Sequence, residues 1–404
     1  MKILVAAGHV PSPSVRHAAA KTSYYLCKHL AERHELHLIA FATREGMAGF
    51  CEEDLEIFRS WKMLPIENRD RLLGAFSAPS LPLAIAARNS RVYSKNLQRL
   101  LEERNFDVVL MDHTAMFQYV RILPKSVVSV GNAHDIVAQN WSRRAAAARN
   151  FLVRSLLRFE TYRMRSWEQK VFERLDCVLV PSEKDQKLLL EMQPRATALV
   201  IDPWVSGDGE KIHREPEPGA LLYWGAMNRA ENIDAARWAV TEILPIIRRA
   251  IPCAKVYIAG NHGEFLAKEF SERADIRVTG FVEDVRGLMA RMSVALLPLR
   301  QGAGIKVKTL ECMSAGLPVV TTSVGEEGVG GIPGVHYQVA EDAEQLAAHT
   351  IKLLQNPAEA RRMGERAAEF MRQRQDFAGR VAKVELFMES RVDLGKARCE
   401  QQPW

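Results

Sequence analysis

The chain has 404 residues, 47% of them hydrophobic and 26% charged, with a formal net charge of +6. That composition excludes a disordered protein, and the length calls for two cores of roughly 200 residues each. The positive charge points to an anionic partner (nucleic acid, lipid headgroups or a phosphorylated substrate) or else to a mildly basic enzyme with none.

In chain order, "MKILVAAGHV" is too short an apolar run for a signal peptide and reads as a buried first strand, Ile3–Ala7. The segment His17–His34, with Tyr24, Tyr25, Leu26 and Leu30 apolar on one face, reads as a helix. Further strands fit Leu36–Phe41, Val108–Met111, Val127–Val130 and Val178–Val180. In the second half, strands fit Leu221–Trp224, Lys255–Ala259, Arg277–Thr279, Val294–Leu297 and Val319–Thr321, alternating with helices near 229–250, 283–292 and 306–316. Such alternation describes parallel sheets covered on both faces. Two Rossmann-like domains follow, with ligands expected in a cleft outside the carboxyl ends of the strands.

The break between the halves is expected in "QPRATALVIDPWVSGDGEKIHREPEPGA", where Pro, Gly and charge cluster and periodicity is lost. The domains are therefore drawn as 1–200, 201–376 and a helix and tail, 377–404, packing back toward the first domain. Phe377–Met388 reads as helical, with residues after Gly395 frayed. The cysteines at 27, 51, 177, 253, 312 and 399 form no CxxC or Cys/His spacing. Neither a zinc site nor a disulfide framework is indicated, and a reducing cytoplasm suits them. No run of about 18 apolar residues is present to span a membrane.

The stretch "LLPLRQGAGIKVKTLECMSAGLPVVTT" reads strand, turn, helix, strand. Gly302 and Gly304 remove side chains where the backbone must turn sharply and approach a ligand. The helix that follows offers free backbone N–H groups and a positive dipole end, both suited to phosphate oxygens. Lys306 and Lys308 sit in its first turn, the wrong end for cations acting on the dipole alone, and a bound anion explains them. Glu311 could accept hydrogen bonds from two ribose hydroxyls, while Ser314, Ala315 and Gly316 let the helix lie close to the next strand. The plainer alternative is a connection whose lysines are solvated.

This segment resembles the donor-binding signature of family 4 glycosyltransferases, retaining enzymes of the GT-B fold. "LLYWGAMNRAENIDAARW" is similar to the strand, glycine turn and first helix of the family's donor domain, and "PCAKVYIAG" and "VTGFVEDVRGLMARMSVALLPLR" resemble its next strands. "NAHDIVAQN" and "DCVLVPSEKDQKLL" resemble segments of its first domain, so the likeness runs from about 107 to 330. It implies an α/β protein of two Rossmann-like domains, with the acceptor in 1–200 and a nucleotide-sugar donor in 201–376. The chain departs from the pattern at one place. The family's common pair of glutamates maps to positions 303 and 311, and 303 is alanine; Gln301 is the nearest polar stand-in. The donor sugar and the catalytic constellation stay open on that account.

By the resemblance, Lys306 contacts the donor diphosphate and Glu311 the ribose, with Asn228 or Arg229, after the Gly225 turn, as a second phosphate contact. Phe281, Val282 and Glu283 lie at the base, and Gln301, Gly302, Gly304 and Ser314 complete the donor set. His134, with Asp135 beside it, falls near the transferred sugar; these two and Lys306 are the catalytic candidates. Arg229 as a surface residue, Phe281 as core and His134 as a buried structural histidine are the plain alternatives. Gly8, His9 and the "PSPSVRHA" loop should border the cleft. Family members of this type need no metal and no cofactor beyond the nucleotide-diphosphate sugar as co-substrate. Carboxylate pairs at glycosidase spacing are not identifiable, so glycoside hydrolysis is disfavoured.

"WSRRAAAARNFLVRSLLRFETYRMRSWEQKVFERL" interleaves Arg143, Arg144, Arg149, Arg154, Arg158, Arg163 and Arg165 with aromatic and aliphatic residues up to Trp167. Such a helix can lie on an anionic membrane, with Arg154, Arg158 and Trp167 as contacts, and "LLGAFSAPSLPLAIAARNSR" fits shallow contact as well. The alternative is a core-packed helix with a solvated basic face. Membrane contact suits a lipid-linked or glycan acceptor in bacterial cell-surface polysaccharide assembly, at the inner face of the cytoplasmic membrane. Nucleic acid is disfavoured because no binding motif accompanies the charge. Two other readings stand beside the transferase: a sugar-nucleotide epimerase on the same scaffold, and a non-catalytic sugar-nucleotide-binding subunit. A dehydrogenase is disfavoured because "AAGHVPSPS" lacks the G-x-G-x-x-G spacing.

Overall fold

A computed structural model describes residues 1–15, 18–43, 47, 50–205, 212–374 and 376–400, with the backbone alone for 395–400. Contacts divide the chain into two units, Met1–Trp204 with Phe377–Trp404, and Val205–Asp376.

The first unit holds seven strands: β1 (Lys2–Ala7), β2 (Glu35–Ala42), β3 (Ser60–Pro65), β4 (Val108–Asp112), β5 (Val128–Asn132), β6 (Cys177–Val180) and β7 (Ala198–Val200). They form one sheet in the order β3-β2-β1-β4-β5-β6-β7, and every pairing is parallel. Ile3 through Ala7 and Val108 through Met111 are buried. Central parallel strands are covered on both faces, which is why they read as unbroken apolar runs rather than as alternations.

Three strands escape that reading. β3 is an edge strand with several exposed residues, and β7 and β13 (Gln338–Val339) are three and two residues long. The expected linker stretch is corrected accordingly, because its "ALV" pairs with β6. The middle of that stretch, 206–211, lies outside the described residues, as do Arg16 and His17 of the first loop and helix.

Helices of this unit that matter below are α1 (Ala18–Ala31), α2 (Asn68–Ser77), α3 (Val137–Ala147) and α4 (Phe151–Phe172). α4 turns Glu160, Met164, Glu168 and Val171 inward, a three-to-four-residue repeat along one face. Its two buried acids act as caps for neighbours. Glu168 accepts from the Val137 and Ala138 amides at 2.8 and 3.1 Å, satisfying the start of α3. Glu160 accepts from the Leu83 amide at 2.9 Å and pairs with Arg163. The last helix of the chain runs Phe377–Glu400, past the point where fraying was expected. Its Phe377, Val381, Val384 and Met388 join Ile3, Val5, Leu26 and Leu30 in one core.

The second unit adds β8 (Ala220–Trp224), β9 (Lys255–Ala259), β10 (Ile276–Gly280), β11 (Val294–Leu297), β12 (Val319–Thr321) and β13. Their order is β10-β9-β8-β11-β12-β13. The helix expected over 229–250 is three pieces: α5 (Ala230–Trp238), a π-helical turn Ala239–Ile243, and Leu244–Ala250, which begins just before Pro245. A proline cannot donate the interior hydrogen bond, and the wider turn absorbs the loss. α6 (Val307–Ser314) follows β11. In both units the strand order reverses once, between β1 and β4 and between β8 and β11. Ligands of open α/β sheets collect at such switch points.

Candidate active site

In the second unit the switch point is built from the turns after β8 and β11. Gly302 has φ 119° and Gly304 φ 70°, conformations that side chains other than glycine rarely adopt. The turn is braced on α5 by the guanidinium of Arg300, which donates to both carboxylate oxygens of Asp234 and lies 4.6 Å from the Trp238 ring centroid. Lys306 is the residue just before α6 rather than a member of its first turn. It is buried, donates to the Gly304 carbonyl at 2.6 Å, and sits 3.5 Å from a carboxylate oxygen of Glu327.

Lys308 points across to the turn after β8. Its ammonium donates to Asn232 Oδ1 at 2.6 Å and lies 5.4 Å from the Tyr223 ring centroid. Gly225 leaves the room for it, since a Cβ there would stand 2.8 Å from Lys308 Nζ. Desolvation and the neighbouring Arg229, against an opposing Glu231 and with Lys306 adding to the first two, bring the Lys308 ammonium down to about 7. Glu311, one turn into α6, accepts from Trp224 Nε1 at 2.7 Å at the end of β8. Thus Gly225, Lys306, Lys308 and Glu311 come together, with two helix N-termini beside three cations.

Other sequence candidates fall at different distances from this cluster. Asn228 and Arg229 are exposed just ahead of α5, Arg229 within 4.0 Å of Glu231. Phe281 is 45% exposed, so it is not core, while Val282 is half-buried against the core. Gln301 is half-buried in the turn. Ser314 is the exception. It closes α6, about 12 Å of helix rise from Lys306, and does not join the phosphate end.

In the first unit the switch point gathers histidines around one carboxylate. Asp112 Oδ1 accepts from Ser23 Oγ at 2.9 Å and Asn132 Nδ2 at 2.8 Å, and lies 3.1 Å from His134 Nε2. Its Oδ2 lies 3.4 Å from His9 Nε2. Burial opposes ionisation of Asp112, yet His134 and His9, with the His134 and Ser23 hydrogen bonds, hold its carboxyl down to about 2. Burial brings the His9 imidazole down to about 4, Asp112 pulling the other way. Gly8 follows β1, its amide donating to the Asp112 carbonyl at 2.9 Å. A Cβ at Gly8 would press to 3.0 Å from His113 Cβ, and Arg88 Nε donates to the Gly8 carbonyl. Asp135 follows His134 and is half-buried.

Residues 19–206 match the Glycosyltransferase Family 4 model and residues 218–356 the Glycosyl transferases group 1 model. The chain belongs to the GT-B glycosyltransferases. The WaaG crystal structure, a glycosyltransferase involved in lipopolysaccharide biosynthesis, superposes with a TM-score of 0.64 at 17% identity, covering 95% of this chain and 98% of that one. TarM gives 0.70 at 10% identity, over 96% and 99%. HepE of Anabaena, in complex with UDP and glucose, gives 0.65 at 12% identity, over 96% and 99%. A Klebsiella pneumoniae protein described as an uncharacterized 44.6 kDa protein in the cps region is 24% identical over 164 residues, 39% of this chain. The match spans 42% of that relative's length.

The glycosyltransferase also carries an exposed apolar face in its first unit. Leu152, Leu156 and Phe159 lie at i, i+4 and i+7 on α4 and are exposed, Leu152 by 74%; Phe151 and Tyr162 flank them. Leu72, Leu73 and Phe76 are exposed on α2, Phe76 by 82%. Arg163 ties the two regions by donating to the Pro79 and Leu81 carbonyls beyond α2. Of the expected contacts, Arg158 is exposed, and Arg154 is half-buried and donates to the Ala148 carbonyl at 2.9 and 2.8 Å. Trp167 is corrected, because it packs inward against two core clusters. No helix among the described residues is long and apolar enough to cross a membrane.

Residues that sequence reasoning passed over are Trp224, Asn232, Lys308 as a buried group, Glu327, Asp112, Ser23 and Asn132. Asp112 carried a signal, since it ends an apolar strand just where the carboxyl ends of strands collect ligands. The others had none without the fold.

Proposed function

We propose that this glycosyltransferase moves a sugar from a nucleotide-diphosphate donor held by the second unit to a glycan or lipid-linked acceptor held by the first. Transfer retains configuration and needs no metal, and it serves bacterial cell-surface polysaccharide assembly. The observation that carries the reading is the cation-rich switch point of the second unit, where Lys306, Lys308 and Arg229 meet two helix N-termini. A positive field of this kind stabilises a leaving diphosphate. Glu311 then takes the ribose hydroxyls, Phe281 and Val282 flank the base, and Gln301 and Gly302 approach the sugar. The acceptor hydroxyl attacks on the face that the diphosphate leaves, and a phosphate oxygen takes its proton. His134 is assigned to the transferred sugar, with Asp112 orienting its ring. UDP and glucose in HepE, lipopolysaccharide synthesis in WaaG and the cps region of the Klebsiella relative support this choice of donor and pathway class.

Supplying labelled UDP-, GDP-, ADP- and dTDP-sugars with bacterial membrane extract tests it. One donor is expected to label an extractable glycan or glycolipid. No incorporation from any donor, or a free epimerised donor alone, contradicts it.

Lys308 supplies a second expectation. With its ammonium held down to about 7, the unfolded chain binds the extra proton between about 7 and the ordinary lysine value, so this group makes stability rise with pH there. A diphosphate beside it restores the proton. Nucleotide binding at about pH 8 is therefore expected to take up a proton, read by calorimetry in buffers of differing ionisation enthalpy. Lys308→Met should abolish the uptake, and equal uptake in that variant refutes the assignment.

The apolar face of α2 and α4 with its arginines suits an anionic bilayer, aromatics at the headgroups and guanidinium groups on phosphates. The protein is expected to co-sediment with vesicles containing phosphatidylglycerol and far less with phosphatidylcholine alone. A Leu152→Glu, Leu156→Glu double variant should lose most of that binding. Undiminished sedimentation of the double variant would place the contact elsewhere.

A further inference from the structure

We propose that His9, Asp112 and His134 form a binding site for a divalent transition-metal ion of the zinc class. One nitrogen from each imidazole and one carboxylate oxygen lie within 4.8 Å of one another. His134 Nε2 lies 3.1 Å from Asp112 Oδ1 and His9 Nε2 lies 3.4 Å from Asp112 Oδ2, so each imidazole faces its own oxygen of the shared carboxylate at close to the spacing an ion requires. Four ligands at about 2.0–2.1 Å in tetrahedral geometry stand about 3.3 Å apart. Closing the three groups on an ion draws the two imidazoles together from within 4.8 Å, with the carboxylate presenting one oxygen or both between them.

The scaffold is as favourable as the distances. Asp112 ends β4, His9 follows β1 and His134 follows β5, and these strands are adjacent in the sheet. Asp112 is thus held in a hydrogen-bonded parallel strand, and each histidine stands two residues beyond the end of a neighbouring one. Around them stands an outer shell of the kind that fixes ligand orientation: Ser23 and Asn132 donate to Asp112 Oδ1, and the Gly8 amide donates to the Asp112 carbonyl. The imidazole side chains keep 19% exposure each, so an ion can enter from solvent and retain an open position. Two imidazoles and one carboxylate suit zinc, cobalt or nickel, whereas calcium and magnesium ask for oxygen ligands.

The ion has no part in the proposed transfer. It occupies the nitrogen of His134, so it should inhibit, and this consequence alone rests on the role assigned to that residue above. Binding stands or falls independently.

The test is titration of the full chain with Co2+, followed by its ligand-field absorption, with Zn2+ as competitor. One Co2+ per chain, displaced by Zn2+, is expected. His9→Ala and His134→Ala should each weaken binding at least tenfold, and Asp112→Asn similarly, while His213→Ala, an exposed histidine elsewhere, leaves it unchanged. Circular dichroism and melting of each variant separate a lost ligand from a lost fold. In case the Asp112 variant fails to fold, the two histidine variants decide. No cobalt band in the parent, or a band that survives both histidine substitutions, overturns the proposal. Inhibition of transfer by Zn2+ is a separate readout, and its absence with intact cobalt binding would count against the role of His134 and not against the site.

Discussion

Replacing Lys306 with alanine is expected to lower transfer by about a hundredfold to a thousandfold, the cost of removing one preorganised group that stabilises charge on a leaving group. The side chain is buried between the Gly304 carbonyl and Glu327, so the effect has two components. The positive charge next to the diphosphate is lost, and Glu327 is left without its neighbouring cation in a nearly buried place. A parallel measurement of unfolding separates them. Glu327→Gln breaks the same pair but keeps the ammonium, so Lys306→Ala should be far worse than Glu327→Gln in transfer and comparable to it in stability. Equal losses of transfer would mean that the pair is structural and that another group meets the diphosphate.

The second large effect is expected at Gly260, and it concerns the fold under the site. Its φ is 138°, and a Cβ there would stand 1.9 Å from the Gly225 carbonyl oxygen. The atom met is backbone, in the turn that also makes room for Lys308. Its amide donates to Gly280 at 2.8 Å and the Gly225 amide donates to Ala259 at 2.9 Å, so neither strand end can simply move aside. Gly260→Ala is expected to destabilise the second unit by about 3 kcal/mol or more, adding backbone strain to a backbone clash. Denaturant unfolding of the full chain should lower the transition of that unit and leave the first unit's in place. A shift below about 1 kcal/mol would show that the turn relaxes.

Much of the fold could be read from the chain because parallel strands buried on both faces are continuous apolar runs. Ile3–Ala7, Lys255–Ala259 and Val294–Leu297 are such runs, and each is a strand within a residue of the expected bounds. β3 could not be read this way, since this edge strand buries only Leu64 and leaves its other residues open or half-open, and β7 lay inside a stretch that charge and proline marked as a break. The site was partly legible for a related reason. Gly302, Gly304, Lys306 and Glu311 are close in sequence, so one turn and one helix bring them together. Trp224 and Asn232 meet Glu311 and Lys308 only because β8 and β11 are neighbours in the sheet, a pairing no local pattern states. Trp167 misled for the opposite reason. It sits amid arginines in the sequence, but its position on α4 turns it to the core.

The central claim is that the turns after β8 and β11 hold a nucleotide diphosphate. Thermal shift with UDP, GDP, ADP and dTDP, on the parent and on Lys306→Ala and Glu311→Ala, tests it most directly. One nucleotide in hundredfold excess over its dissociation constant should stabilise the parent by about 3 kcal/mol and either variant far less. No shift with any of the four, or an equal shift in both variants, would contradict the claim.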